Sequence, residues 1–282
     1  MKGFINLLKP EGMSSAYAVG AVKHKFKTPC GHMGTLDPMA SGVLPVGIGK
    51  TSRLFPFLLD KLKTYEAVIK FGLTTDTLDT TGETLETTDN IPSIDQVKNS
   101  LAQFIGEILQ VPPKYSAKCI NGKRGYELSR KGVDFELEPK KVVVYDLSLI
   151  EQLNDCEYVI KIVCGGGTYV RSLCRDIGSA CGSLAVMSGL KRTASGKFSL
   201  ENGVDFYEFK NSENPEKYII PSDFAVDFEK IVLSSKQAQR ILDGVFDNLG
   251  YKDGIYRVYN ETEFWGIGKS EEGVLRIIAY VR

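Results

Sequence analysis

The sequence predicts an α+β fold, in which strands and helices mix without forming a doubly wound parallel sheet. Segments with an apolar side chain at every second residue, typical of strands, are interspersed with segments of helical periodicity. The two kinds do not follow the regular strand–helix–strand rhythm of a parallel sheet. Of the 282 residues, 43% are hydrophobic and 25% are charged, which argues against a disordered or collagen-like chain.

Five segments in the first two thirds of the chain have the pattern of strands. In chain order they are 3–8, 43–48, 65–71, 142–150 and 157–164. In the third of them Tyr65, Ala67 and Phe71 alternate with polar residues, so we expect them to share one face. The stretch between Gly31 and Gly42 is rich in glycine and proline and predicts a loop.

Apolar residues at helical spacing predict three helices in the same region. The first begins at Ser14 or Ser15, either of which can cap it. The second begins near Ile94 and is closed by Gly106. The third opens after the glycine-rich run at 165–168.

A change in composition near residue 227 suggests a domain boundary. Eight acids and two lysines occupy the stretch 201–229, and we interpret it as a linker that ends near Asp227. The segment 235–243 then predicts a short helix, followed by strand-like segments with turn signals, which suits a small β-barrel. We therefore expect two domains, residues 1–227 and residues 228–282.

Charge is balanced overall, with 35 basic and 35 acidic residues, but it is segregated along the chain. The stretch 114–131 holds six basic residues and one acid, and with Tyr115 and Tyr126 it favours a polyanion such as a nucleic acid. The stretch 76–95 holds six acids and no base, so it would repel one. Alternatively, each run is an ordinary solvated surface.

The six cysteines and two histidines do not form a metal-binding pattern. No Cys-x-x-Cys pair is present, and a zinc site normally uses ligands paired at short spacing. We therefore expect reduced thiols and no metal. We also expect a soluble, cytoplasmic protein without a membrane partner, because no apolar run approaches a signal peptide or the ~20 residues of a membrane helix.

Two charged residues are candidates for chemistry. Pro38 biases Asp37 towards an extended backbone that can present its carboxylate, although an Asp-Pro pair also simply shapes a turn. Arg171 lies in the first turn of the third predicted helix, where the helix dipole disfavours a cation. Either this place receives a carboxylate or phosphate, or the arginine is merely solvated. The sequence GKT at 49–51 ends like a phosphate-binding loop, but Leu44 stands where that loop requires glycine.

Five separated motifs follow one another along the chain. They are KPEGMSS at 9–15, GHMGTLDPMASGVL at 31–44, KTY at 63–65, GTYVRSL at 167–173 and KRT at 191–193. In this order and spacing they resemble the TruB family of bacterial pseudouridine synthases. The resemblance implies a pseudouridine synthase fold with a central mixed or antiparallel sheet flanked by helices, and a PUA-like RNA-binding domain at the C-terminus. It implies isomerisation of uridine 55 in the tRNA T-loop.

The resemblance also implies three catalytic residues. Asp37 would be the essential aspartate, and Arg171 would pair with it. Tyr65 would stack on the target base and help to remove the proton from its C5 atom. A base inside a folded loop is hidden from these groups, so the nucleotide would have to flip out.

Four further residues would contact or support the substrate, again by resemblance. Leu190 would pack in the base pocket, and Lys9 and Pro10 would support it. His32 would read the T-loop, occupying the space left by flipped nucleotides.

Residues of about 112–132, which we call the gripping segment, resemble the family's insertion that holds the T-arm. Lys114, Lys123 and Arg124 would contact its phosphates. The chain departs from the family pattern at 118–119, where it reads lysine then cysteine. The resemblance implies tRNA as the partner and no metal or cofactor, since the released uracil is rejoined within its pocket. The oligomeric state does not follow from the sequence, and a monomer is our default expectation. We expect the acidic stretch 76–95 to lie away from the RNA.

Other function classes compete with this interpretation. A non-catalytic RNA-binding protein would keep the basic segment but would not need Asp37, Tyr65 and Arg171 together. A phosphotransferase would use the residues at 49–51, which lack the required glycine. A glycosidase would need a second cooperating carboxylate, and none stands out.

Overall fold

The computed structural model describes residues 1–58, 61–116, 119–120, 123–124, 135, 137–246, 248–261 and 263–282, with the backbone alone at 119–120 and 123–124. Its strands are, in chain order, β1 (Gly3–Lys9), β2 (Cys30–His32), β3 (Ala40–Ile48), β4 (Lys63–Phe71), β5 (Leu73–Thr75), β6 (Thr84–Thr87), β7 (Gly106–Gln110), β8 (Cys119–Ile120), β9 (Lys123–Arg124), β10 (Lys140–Asn154), β11 (Glu157–Cys164), β12 (Ala185–Ser195), β13 (Phe198–Ser199), β14 (Val204–Asp205), β15 (Glu229–Leu233), β16 (Gly254–Asn260), β17 (Glu263–Glu271) and β18 (Val274–Tyr280). Its α-helices are α1 (Ser15–Phe26), α2 (Ile94–Leu101), α3 (Val170–Ala180), α4 (Phe206–Asn211) and α5 (Ser235–Leu242). Over the described part of the chain, none of these helices combines the length and the apolar character needed to cross a bilayer.

The predicted α+β class is confirmed by these elements. The strand predicted at 157–164 is β11, and the strand predicted at 142–150 lies within β10. The helix predicted to close at Gly106 is α2, continued by a 3₁₀ turn over Ala102–Phe104. The loop predicted between residues 31 and 42 is wrong in part, because β2 pairs there with the far end of β3.

The chain forms two compact units. The terminal unit comprises Met1–Pro38, Gly42–Leu59 and Ser195–Arg282, and the middle unit comprises Met39–Ser41 and Asp60–Ala194. Neither unit is a single stretch of chain. The domain boundary expected after residue 227 falls inside the terminal unit and stays a prediction.

The terminal unit is built on β1, which pairs antiparallel with β3 and parallel with β14. Phe4, Ile5 and Leu7 are each 0% exposed, as expected for a strand that is covered on both faces. Helix α1 begins where the side chain of Ser14 accepts a hydrogen bond from the N–H of Tyr17. This is one of the two caps that the sequence predicts.

The middle unit is a sheet with the strand order β12-β4-β11-β10-β7. The pairs β4–β11, β10–β11 and β7–β10 are antiparallel. Along β4 every second side chain is buried, including Tyr65, Ala67 and Phe71, so the predicted common face is confirmed. The apolar stripe of α3, with Leu173 and Ile177, is buried as well.

The stretch 201–227 is folded, so its interpretation as a linker is wrong. It contains β14 and α4, and Phe206 and Phe209 of α4 are 0% exposed. The carboxylate of Asp205 accepts hydrogen bonds from the N–H groups of Tyr207 and Glu208 and caps α4. Part of the acidity of this stretch is therefore helix capping and not solvation.

The C-terminal segment forms a four-stranded sheet with the order β15-β16-β17-β18. Strands β15 and β16 are parallel, and the other two pairs are antiparallel. The predicted helix at 235–243 is α5, with Gly244 just beyond it at φ 77°. No closed barrel is formed by the strands in the part of the chain that is described, so the barrel expectation is not confirmed.

Two cysteines of the middle unit behave as small apolar side chains. Burial raises the pKa of Cys174 to about 12, and it also raises the pKa of Cys164. Both thiols therefore stay neutral near pH 7. Cys174 lies on the buried face of α3 and Cys164 on the buried face of β11, where both pack in the core.

Replacing Gly178 of α3 by alanine should lower the free energy of unfolding by about 1–3 kcal/mol, the usual cost of overpacking. A Cβ atom there would lie 2.8 Å from the backbone nitrogen of Ala185, because α3 and β12 approach closely. Gly20→Ala in α1 is the control, since its Cβ would meet nothing within 4 Å. That change should stabilise the helix by roughly 0.5–1 kcal/mol. Urea unfolding measures both, and equal values would contradict the tight contact.

Candidate active site

Asp37 lies on the loop between β2 and β3, and the backbone on both sides of it is held. The hydroxyl of Ser15 accepts a hydrogen bond from the N–H of Leu36 at 2.9 Å and donates one to its carbonyl at 2.7 Å. The carbonyl of Pro38 accepts a hydrogen bond from the N–H of Gly12 at 2.8 Å. The side chain of Asp37 is half-buried. A carboxylate on a fixed loop is thus left partly accessible.

A buried ammonium group supports the same loop. Lys9 is 1% exposed, and its Nζ donates to the carbonyls of Pro10 at 2.8 Å, Met13 at 2.6 Å and Pro38 at 3.4 Å. A buried charge without such partners would be costly. Lys9 therefore joins the segment 10–13 to the residue that follows Asp37. The expected contribution of Lys9 and Pro10 to a base pocket stays a prediction.

His32 belongs to β2 and lies opposite Val46 of β3. It is half-buried. The ring of Phe55 packs on the glycines beside this pair, since a Cβ on Gly31 would lie 3.1 Å from the ring and one on Gly47 would lie 2.9 Å from it. The strand that carries His32 is therefore closely packed.

Arg171, near the start of α3, is only 7% exposed. Its Nη1 donates to the carbonyl of Thr77 at 2.9 Å, and its Nη2 donates to the carbonyl of Tyr115 at 3.0 Å. The alternative of a solvated arginine is therefore wrong. These carbonyls orient the guanidinium in two directions.

Asp79 faces this guanidinium, and the sequence analysis did not identify it. It is 5% exposed, and its Oδ2 lies 3.6 Å from Nη1 of Arg171. Its Oδ1 accepts hydrogen bonds from the hydroxyl of Thr77 at 2.8 Å and the N–H of Thr81 at 3.0 Å. The interpretation of the stretch 76–95 as a solvated surface is wrong for this residue, and its expected position away from the RNA stays a prediction. The feature of the sequence that could have identified Asp79 is the run of threonines around it, because threonine hydroxyls in turns donate hydrogen bonds to carboxylates.

Tyr65 and Leu190 lie on neighbouring strands, β4 and β12. Tyr65 is 7% exposed and lies opposite Ile162 of β11. Leu190 is half-buried. Further along β12, the hydroxyl of Thr193 donates to the carbonyl of Thr64 at 3.3 Å, next to Tyr65 in the chain. The two side chains are thus carried by one rigid part of the sheet.

The first residues of the gripping segment lie beside α3. Lys114 is exposed, and the carbonyl of the next residue is the one that accepts from Arg171. The backbone of Lys123 and Arg124 forms β9, which pairs antiparallel with β8. Their side chains, and residues 125–134, lie outside the described part of the chain. The expected phosphate contacts of Lys123 and Arg124 stay predictions.

The two units hold different parts of the expected site. The terminal unit carries Asp37, Lys9, Pro10 and His32, and the middle unit carries Tyr65, Arg171, Leu190 and Lys114. In the terminal unit the structure brings Lys9 to the loop of Asp37. In the middle unit it brings Arg171 to the start of the gripping segment.

Comparison with protein families decides the assignment. The model described as TruB family pseudouridylate synthase (N terminal domain) matches residues 23–170, and the model described as tRNA pseudouridylate synthase B C-terminal domain matches residues 171–227. The chain belongs to the TruB family. As a TruB-family member it is an isomerase that forms pseudouridine.

Curated relatives of this TruB-family chain match it over nearly its whole length. The tRNA pseudouridine synthase B of Aquifex aeolicus (strain VF5) is 41% identical over 284 residues and covers 98% of both chains. The tRNA pseudouridine synthase B of Alkaliphilus oremlandii (strain OhILAs) is 39% identical, over 95% of this chain and 93% of the relative.

Solved structures agree with the family's fold. A chain from an H/ACA RNP bound to a substrate RNA containing 2′-deoxyuridine has a TM-score of 0.72 and 25% identity, over 99% of this chain and 85% of that one. A chain from a Cbf5-Nop10-Gar1 complex has a TM-score of 0.68 and 27% identity, over 98% and 79%. The expected pseudouridine synthase fold, with a mixed sheet and helices, is confirmed.

The GKT sequence at 49–51 has a packing role in this TruB-family chain. Thr51 is 0% exposed, and its hydroxyl accepts a hydrogen bond from the N–H of Gly3 at 2.9 Å. The same hydroxyl shares a hydrogen bond of 2.8 Å with the hydroxyl of Ser222. A hydroxyl used in this way is not available to a phosphate-bound metal ion, so the geometry does not support the phosphotransferase alternative.

The change Asp79→Asn should lower the free energy of unfolding by roughly 2–4 kcal/mol, because it leaves the buried charge of Arg171 with a neutral neighbour. The control is Asp89→Asn, at an exposed position of the same acidic stretch. It should change stability by less than about 0.5 kcal/mol. Urea denaturation at pH 7 measures both. Equal stabilities of the two variants would contradict the importance of the Asp79–Arg171 pair.

Proposed function

We propose that this chain isomerises uridine 55 in the T-loop of tRNA to pseudouridine. The observation that carries the proposal is the continuous match of two TruB family models over residues 23–227, with relatives named tRNA pseudouridine synthase B that span nearly the whole chain. A partly accessible carboxylate on a held loop and a buried, oriented guanidinium supply charged groups suited to this reaction.

The reaction exchanges one bond of the substrate for another. The N1–C1′ bond breaks, the uracil turns, and a C1′–C5 bond forms, while C5 loses a proton and N1 gains one. No atom is gained or lost, so no co-reactant is consumed. The nucleotide must first flip out of the T-loop, which costs stacking energy. Stacking on Tyr65 would recover about 1–3 kcal/mol of it.

Asp37 is the proposed catalytic carboxylate. It acts either as a nucleophile on the nucleotide or as a base, and both fit a half-buried carboxylate. We assign Arg171 as its partner, because a nearby guanidinium stabilises the ionised form of a carboxylate. Tyr65 would assist removal of the proton from C5. The contacts that hold the Asp37 loop and Arg171 keep these groups oriented, which lowers the cost of reaching the transition state.

The remaining assigned residues surround the flipped base and its loop. Leu190 would pack against the uracil as an apolar wall of the pocket. Lys9 and Pro10 would support that pocket through the segment 10–13, which Lys9 holds. His32 would occupy the space that the flipped nucleotide leaves in the T-loop.

RNA binding is assigned to two further parts of the chain. The gripping segment would hold the phosphates of the T-arm through Lys114, Lys123 and Arg124, and such contacts weaken as salt rises. Residues 228–282 are proposed as a PUA-like RNA-binding domain. One structural neighbour comes from a complex with a substrate RNA, which supports an RNA partner. We further propose that the protein acts as a cytoplasmic monomer without a cofactor.

The change Asp37→Asn should abolish tritium release from tRNA labelled at C5 of uridine, because the amide cannot act as nucleophile or base. The affinity for tRNA should stay within a few fold, since binding rests mainly on phosphate contacts. Asp89→Asn, at an exposed position, should release tritium like the wild type. Turnover by Asp37→Asn would contradict its catalytic role. A wild type that binds tRNA but releases no tritium would indicate a non-catalytic RNA-binding protein.

The change Arg171→Lys should reduce the single-turnover rate at least about 100-fold, because lysine keeps the charge but loses the planar fork that the two carbonyls orient. Arg53→Lys is the control, at an exposed arginine that also donates to a carbonyl. It should leave the rate unchanged. A rate for Arg171→Lys equal to that of the control would remove Arg171 from the proposed site.

A further inference from the structure

The end of β7 and the start of α3 are joined by two hydrogen bonds, each made by a buried side chain, which we call the latch. The N–H of Tyr169, the N-cap of α3, donates to Oε1 of Gln110 at 2.8 Å. The hydroxyl of Ser172 donates to the carbonyl of Val111 at 2.8 Å. Gln110 is 1% exposed and Ser172 is 0% exposed. The two side chains that make these bonds are therefore shielded from water, which strengthens the bonds.

The two latch residues on α3 lie on either side of Arg171 in the sequence. Tyr169 lies two residues before it and Ser172 directly after it, so both ends of this helical turn are tied to residues 110–111. The Nη2 of Arg175, one turn further on, also reaches the carbonyl of Val111 at 3.3 Å. The direction of a helical side chain follows the rotation of its turn. The latch consequently sets where the Arg171 guanidinium points.

The same residues lead directly into the gripping segment. Pro112 and Pro113 follow Val111, are buried, and have restricted backbone angles. The carbonyl of Tyr115, two residues beyond them, accepts from Nη2 of Arg171 at 3.0 Å. A stiff connection of a few residues thus runs from the latch to the arginine and to the first residues that would hold RNA.

The presence of a glutamine at position 110 is not explained by its contribution to stability alone. With its Oε1 bonded to Tyr169, its Nε2 is buried without a hydrogen-bond partner among the described residues. A buried unpaired donor costs free energy, and an apolar residue of similar shape would avoid that cost. What glutamine provides here, and an apolar residue would not, is the oxygen Oε1 that accepts the hydrogen bond from the N–H of Tyr169.

We propose that Gln110 and Ser172 are positioning residues, which hold the Arg171 guanidinium in its reactive orientation. This inference rests on the proposed function, because it assigns Arg171 to the reaction. Neither residue touches the reacting atoms. Their loss should therefore slow the chemical step and leave tRNA affinity nearly unchanged.

The test compares Ser172→Ala and Gln110→Met with Ser179→Ala, a serine-to-alanine change at an exposed position of the same helix. We expect the latch variants to release tritium from C5-labelled tRNA about 5–20-fold more slowly in single turnover, the effect of one or two hydrogen bonds on a barrier. Their dissociation constants for tRNA should stay within about 2-fold of the wild type. Ser179→Ala should match the wild type in both measurements.

A double-mutant cycle separates positioning from general support of the fold. In the Arg171→Lys background, Ser172→Ala should slow the reaction less than about 2-fold further, because neighbours that act through one group are not additive. Full additivity, an unchanged rate in the single variants, or a loss confined to tRNA affinity would each overturn the proposal. These outcomes require an active wild type. A wild type without tritium release would instead refute the proposed function.

Discussion

The buried positive charge of Arg171 is the constraint on which the middle unit depends. A guanidinium that is 7% exposed must find its partners within the protein, and it finds them in the carbonyls of Thr77 and Tyr115 and the carboxylate of Asp79. Thr77 and Asp79 belong to one turn, whereas Tyr115 lies far from them in the chain. The β5–β6 turn and the segment after β7 must therefore both reach α3 for the charge to be tolerated.

The terminal unit uses a second buried cation in a different way. Lys9 donates to three carbonyls and thereby holds the loop of Asp37 in place. At Arg171 the carbonyls instead hold the guanidinium itself in one orientation. An ammonium suits the first task because it is a compact donor of three hydrogen bonds. A guanidinium suits the second because its planar fork has a defined direction. The chain thus prepares each charged group before substrate arrives, which reduces the cost of ordering it in the reaction.

Local patterns in the sequence were sufficient for much of the fold and for the candidate residues. The alternation in β4 placed Tyr65 on the buried face, and glycine-rich residues marked the start of α3, whose first turn contains Arg171. The stretch 201–227 was misread, because acids that cap a helix have the same composition as acids in a linker. Asp79 was missed for a related reason, since an acidic run does not reveal which of its members is buried.

The sequence by itself determined many of the strands and helices, the family and the identity of the charged residues, because these depend on neighbours within a few positions or on motifs kept in order. Only the tertiary structure decided which of those charges are buried and what compensates them. Lys9 meets Pro38, and Arg171 meets Asp79, across long separations in the chain. Such pairings arise from how the strands and helices pack, and no local pattern of residues encodes the partner of a buried charge.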